Sequence, residues 1–203
     1  MLSNWTITSH PVEATHGSKS HDYNDDDTNV IFWRAKIGTV GITANWFGDD
    51  TYGYPSLFAD SLNAKGLSCS LLALTNTQYE ERSKDKLNIF AGTFCLYVTQ
   101  TYSTVNDLVN NLSEISVYGP DAIAQHYVIR DATGTSLILE FINRQKTIYV
   151  DRNDGISGFG ITTNEPYFNY HLQNIQHYEW KVCYLVLTTY VCVYACMHVV
   201  LYV

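Results

Sequence analysis

Four extended segments crowd into residues 125–166, and that stretch commits the chain to an antiparallel sheet. Tyr127 to Arg130 is β-branched and aromatic and runs into Asp131-Ala132-Thr133-Gly134. Asp first and Gly last is the pattern of a type I turn closing a hairpin. The returning strand, Ser136 to Ile142, puts Leu137, Leu139 and Phe141 on one face and Ser136, Ile138, Glu140 and Ile142 on the other. Both faces are largely apolar, which predicts a sheet covered on both sides. Asn143 to Gln145 turns the chain, and Lys146 to Val150 is a third strand. Asn153-Asp154-Gly155 is a second hairpin signal, and Ile156 to Thr163 is a fourth strand stopped by Pro166.

Order is expected from Val30 onward. Val30 to Trp33 and Thr39 to Trp46 read as paired strands, with Lys36-Ile37-Gly38 between them, and Gly48 to Pro55 as a loop. Phe58 to Leu62 and Leu67 to Leu74 form a hairpin around Asn63-Ala64-Lys65-Gly66, where Gly66 takes the positive φ that the turn requires. Thr75 to Lys86 is a polar connection. Ile89 to Tyr102 carries Phe90, Phe94, Tyr97 and Val98 at helical spacing. Ser103 or Thr104 then caps a second helix, Val105 to Leu112, with Asp107 near its positive end. Strands, a helix pair and strands again make an α+β order.

Composition removes several functions. The net charge of −8 argues against a nucleic-acid partner, because phosphate binding needs clustered Lys and Arg. The start, MLSNWTITSH, has neither the basic flank nor the apolar core of a secretory signal, and localisation is left unassigned. Asn4-Trp5-Thr6 and Asn111-Leu112-Ser113 fit the glycosylation sequon, a pattern common by chance. The five cysteines lack metal-ligand spacing, and Cys69 and Cys95 read as buried reduced thiols. His10, His16 and His21 are irregularly spaced, and the acidic run from Asp22 to Asp27 lacks the Gly and spaced ligands of a calcium loop. Residues 1–29 are expected to be a solvated, unstructured leader. No metal or cofactor is expected.

The segment from Val182 to Val203 differs from the rest, with no formal charge and frequent Thr, Tyr, Val and Cys. Three readings stand in order. Intron read-through comes first, since Lys181-Val182-Cys183 is what the splice-donor-like AAG-GTA-TGT would encode. A membrane anchor is second, because the segment is long enough to span a bilayer as a helix. A core strand is third.

Two motifs carry a resemblance to a known family. Asp60-Ser61-Leu62-Asn63-Ala64-Lys65-Gly66-Leu67 is similar to D-G-x-N-E-K-G-L. The hairpin around Asp131 to Gly134 leads to Thr163-Asn164-Glu165-Pro166 and then Leu172-Gln173-Asn174-Ile175, similar to T-N-x-P followed by a short helix ending in N-L. In that order they resemble the choloylglycine hydrolase and penicillin V acylase family over roughly residues 33–181. The resemblance implies an N-terminal-nucleophile-type αββα sandwich, here partial, with residues 30–181 as the domain. It implies hydrolysis of linear amides in N-acyl compounds such as bile-salt conjugates, penicillin V or fatty amides, so the expected partner is a small-molecule acyl amide.

In that family an N-terminal Cys thiolate attacks the amide carbonyl and its own α-amino group acts as base. The Asn of T-N-x-P donates to the oxyanion, which assigns a catalytic role to Asn164. On its residues alone, Asn164 is a turn residue before Glu-Pro. The chain opens Met1-Leu2, no Arg-x-x-Asp pair follows in the first thirty residues, and the second oxyanion donor falls at Ala73. No nucleophile is therefore assigned, and Cys69, in an apolar strand, is a poor substitute. The chain is expected to be an incomplete member. A non-catalytic acyl-amide-binding relative and a tail-anchored membrane protein are the alternatives.

Overall fold

A computed structural model describes residues 5–10, 15–18, 31–44, 57–151, 162–175 and 177. The strands are β1 (Trp5–His10), β2 (Thr15–Ser18), β3 (Ile31–Arg34), β4 (Thr39–Ala44), β5 (Leu57–Asn63), β6 (Ser68–Ala73), β7 (Leu87–Phe90), β8 (Ile115–Tyr118), β9 (Gln125–Arg130), β10 (Ser136–Ile142) and β11 (Gln145–Asp151). The helices are α1 (Phe94–Thr101) and α2 (Val105–Asn111), and residues 168–175 are helical as well. Seven strands form one sheet in the order β1-β4-β5-β6-β9-β10-β11, and every pairing in it is antiparallel. The α+β class with antiparallel sheets and a helix pair is therefore as expected. Two two-stranded sheets, β2-β3 and β7-β8, hold the other described strands.

Three hairpins, β5-β6, β9-β10 and β10-β11, form where turn chemistry places them. Gly66 and Gly134 have φ of 84° and 90°, conformations that a side chain disfavours. Asn143 and Arg144, at φ 52° and 61°, make the two-residue connection between β10 and β11. β10 is buried on both faces, apart from its ends. On one face, Tyr127 packs its ring 4.6 Å from that of Phe94 on α1, joining Leu137, Leu139 and Phe141 in the main core. α1 is anchored there through Trp33, whose indole N–H donates to Gln100 Oε1 at 2.8 Å.

Several expectations need correction. Residues 1–29 are not all unstructured: β1 pairs with β4 along its length and β2 pairs with β3. Backbone ladder hydrogen bonds need no apolar periodicity, so a polar segment can still pair as a strand. The segments expected to pair with each other, 30–33 and 39–46, take other partners, β3 pairing with β2 and β4 with β1 and β5. The long helix expected from Ile89 starts only at Phe94. Leu87–Phe90 is instead a strand, parallel to β8, with a short 3-10 turn at Ala91–Thr93. A parallel pair needs a crossover, and α1 and α2 provide it.

Cys69 and Cys95 are not reduced thiols. They are joined by a disulfide that ties β6 to α1. Both are fully buried, so burial alone could not separate a thiol from a bridge. The expected strand 156–163 lies mostly, and the segment 182–203 wholly, outside the described residues. Among the described residues no helix is long and apolar enough to cross a membrane.

Candidate functional site

Both family-like turns are built by a short polar side chain that completes the backbone. Asn63 is 4% exposed and uses all of its amide. Its Nδ2 donates to the Thr99 and Tyr102 carbonyls, each at 2.8 Å, at the C-terminal end of α1. Its Oδ1 accepts from the Lys65 and Leu67 amides at 2.9 and 3.0 Å. Orphan carbonyls at a helix end need such partners. Asp131 serves the other turn in the same way. Its Oδ2 accepts from the Val105 amide at 3.0 Å, at the start of α2, and its Oδ1 accepts from the Thr133 amide and hydroxyl at 2.9 and 2.6 Å. Asn63, Gly66, Asp131 and Gly134 thus organise turns and helix ends.

The Thr163–Pro166 turn lies across the end of β6. Glu165 Oε1 accepts from the Thr75 amide at 2.5 Å, and the Tyr167 hydroxyl donates to the Asn76 carbonyl at 2.7 Å. Thr75 lies two residues beyond Ala73, the last residue of β6, so the turn that carries Asn164 comes to that end of the strand. Ala73 has no side-chain donor to offer there. Asn164 is exposed at the turn. The Thr75 amide and hydroxyl hold the Glu165 carboxyl below the usual carboxylate range, and His126 pulls more weakly in the same direction.

Beneath the turn is a polar pair that neither the turn pattern nor the resemblance singled out. His126 on β9 and Glu140 on β10 are both fully buried, with His126 Nδ1 at 3.1 Å from Glu140 Oε1. Leu139 pairs with Tyr127, so Glu140 and His126 are cross-strand neighbours on the face opposite the Tyr127–Phe94 core. The same Glu140 oxygen accepts from the Phe168 amide at 2.8 Å. Residues 168–175 are helical, and the buried Phe168 ring lies 4.9 Å from that of Tyr149 on β11. Burial pushes the Tyr149 and Tyr167 hydroxyls above the usual phenol range, and the Glu140 carboxylate adds to both. Buried polar atoms without a hydrogen-bond partner include His126 Nε2 and Glu140 Oε2, and also Thr162 Oγ1 and His171 Nε2 on either side of the turn. The sequence did hold one signal for this pair. A carboxylate between Ile138 and Ile142 in a strand buried on both faces requires a partner.

The described cysteines are Cys69 and Cys95, bonded to each other, while Cys183, Cys192 and Cys196 lie outside the described residues. No group of three or more His, Cys, Asp or Glu that could hold a metal ion occurs among the described residues.

Comparison with known proteins places this geometry. The linear amide C–N hydrolases, choloylglycine hydrolase family, match residues 10–183. The chain is 30% identical over 136 residues to the bile salt hydrolase/transferase of Clostridium perfringens, which covers 62% of this chain and 38% of that protein. It is 27% identical over 187 residues to the penicillin V acylase of Pectobacterium atrosepticum, covering 80% of this chain and 47% of the relative. The chain therefore spans less than half the length of each. A solved structure of a variant conjugated bile acid hydrolase from Clostridium perfringens superposes with a TM-score of 0.68 at 25% identity, over 86% of this chain and 50% of that one. The match begins well before residue 33, where the family-like motifs alone had suggested it starts, and takes in β2 and β3. With more than half of its length matched, the chain belongs to the choloylglycine hydrolase family of linear amide C–N hydrolases.

Proposed function

We propose that this protein acts on linear amides of N-acyl compounds, the class that includes bile-salt conjugates, penicillin V and fatty amides. In this reading the Asn164 side-chain NH2 donates to the substrate carbonyl oxygen as attack turns it into an oxyanion. The supporting observation is the Glu165–Thr75 contact, which brings the Asn164 turn to the end of β6. An oxyanion donor acts through preorganisation, and a turn bonded to a sheet is held in place before substrate arrives. The attacking thiolate would come from an N-terminal Cys, as in the family.

The test has two parts. The intact mass and N-terminal residue of the protein from its source are determined first, and then hydrolysis of penicillin V and of a glycine-conjugated bile salt is assayed. A chain with an N-terminal Cys and turnover supports the reading, and Asn164→Ala is expected to lower kcat by about 10²–10³. Binding without turnover supports the second reading, a non-catalytic acyl-amide-binding relative, which the lack of a side-chain donor at Ala73 favours. Neither binding nor turnover defeats both.

A further inference from the structure

We infer that Glu140 and His126 are positioning residues for the Asn164 turn. Three contacts hold the residues on the C-terminal side of Asn164. Glu165 is bonded to the Thr75 amide, Tyr167 to the Asn76 carbonyl, and the Phe168 amide to Glu140. Two of these reach the loop after β6, at the protein surface. The third is buried and reaches β10, between β9 and β11.

The geometry of that third contact explains why a charged side chain sits there. The Phe168 amide belongs to the first turn of the helix at 168–175, where backbone N–H groups lack partners within the helix. A carboxylate oxygen is a strong acceptor for such a group. Glu140 cannot choose its height, because β10 is paired on both sides, with β9 and β11. His126 limits its rotation, since the imidazole is fixed on the neighbouring strand and shares Oε1 with the Phe168 amide. The Phe168 ring against Tyr149 then sets the direction in which the helix leaves the sheet. The distance from the sheet to residue 168 is thereby set, and with it the height of Asn164, four residues earlier. An apolar residue at 140 would fill the space but leave the amide unpaired, and the turn would rest on its surface contacts alone.

The anchoring stands on geometry, whereas its importance to Asn164 rests on the amide-hydrolase reading. The experiment separates them. Hydrogen exchange over residues 162–171 and the Phe168 amide proton resonance are measured in the full chain and in Glu140→Gln, Glu140→Ala and Leu108→Ala. Leu108 is a buried residue of α2 in the core on the other side of the sheet, so its loss reports general destabilisation.

Glu140→Gln keeps an acceptor oxygen for both donors and is expected to leave exchange within about threefold of the parent. The loss of the charged acceptor is expected to move the Phe168 amide proton upfield in that variant. Glu140→Ala is expected to speed exchange over 162–171 by about tenfold or more, beyond any change in Leu108→Ala. An unmoved Phe168 resonance in folded Glu140→Gln overturns the inference, even if Glu140→Ala fails to fold. So does exchange in Glu140→Ala no faster than in Leu108→Ala. Hydrolysis of penicillin V and of a glycine-conjugated bile salt is read separately. A kcat retained by Glu140→Gln and lowered in Glu140→Ala ties the anchor to Asn164, and an equal kcat in both cuts that tie. A parent that hydrolyses neither compound defeats the hydrolase reading, and the exchange and resonance data still decide the anchoring.

Discussion

Asn63 and Asp131 show how one short side chain can hold a turn and a helix end together. Each sits at a hairpin turn and reaches backbone groups at a helix end 26 or more residues away in the chain. For Asp131, burial would raise the carboxyl pKa, but hydrogen bonds from the Thr133 hydroxyl and from the Val105, Thr133 and Thr135 amides outweigh it and hold the pKa below the usual value. A depressed folded-state pKa gives stability that is fully present above the unfolded-state value of about 3.9 and is lost as pH falls through the folded value. Asp131→Asn is therefore expected to cost about 2 kcal/mol at pH 7, as for hydrogen bonds to a charged group. The gap between variant and parent should narrow as the pH is lowered past about 4, which urea unfolding across pH 3–7 would measure. A gap that is constant with pH would mean that the charge on Asp131 contributes nothing.

At the scale of elements, helix α2 illustrates a boundary that local chemistry decides. Thr104 has extended backbone (φ −137°, ψ 161°), and its hydroxyl oxygen accepts from the Asp107 amide at 3.1 Å, which makes it the N-cap of α2. Ser103 and Thr104 were equal candidates from the sequence, and backbone geometry chooses Thr104. Thr104→Ala is expected to lower stability by about 1 kcal/mol, and Thr104→Ser by much less, as read from thermal or urea midpoints. Helix α1 is the opposite case. Phe90, Phe94, Tyr97 and Val98 have helical spacing, yet Phe90 belongs to β7 because Leu87–Phe90 finds β8 as a parallel partner. That partner lies 25 or more residues later, so no local window reveals it.

For the whole molecule, the Cys69–Cys95 bridge fastens the helix layer to the sheet layer over a sequence separation of 26. A loop of that length predicts about 3.5 kcal/mol from restriction of the unfolded chain. Cys95→Ala, or reduction, is expected to lower unfolding free energy by about 2–4 kcal/mol, and a non-reduced peptide map would detect the linked pair directly. The hairpin turns at Asn63–Gly66, Asp131–Gly134 and Asn143–Arg144, the N-cap and the family-like turns were legible in the sequence because each depends on residues a few positions apart. The resemblance carried by the Asn63 and Asn164 motifs also pointed to the right family. The tertiary structure alone decided what depends on distant neighbours: the pairing of β1 with β4, the β7–β8 pair, the cysteine bridge, and the meeting of His126, Glu140 and the Phe168 amide under one turn. The physical reason is that a strand edge, a thiol and a buried carboxylate each show in sequence only that a partner is needed. Which partner arrives is set by how the sheet closes around them.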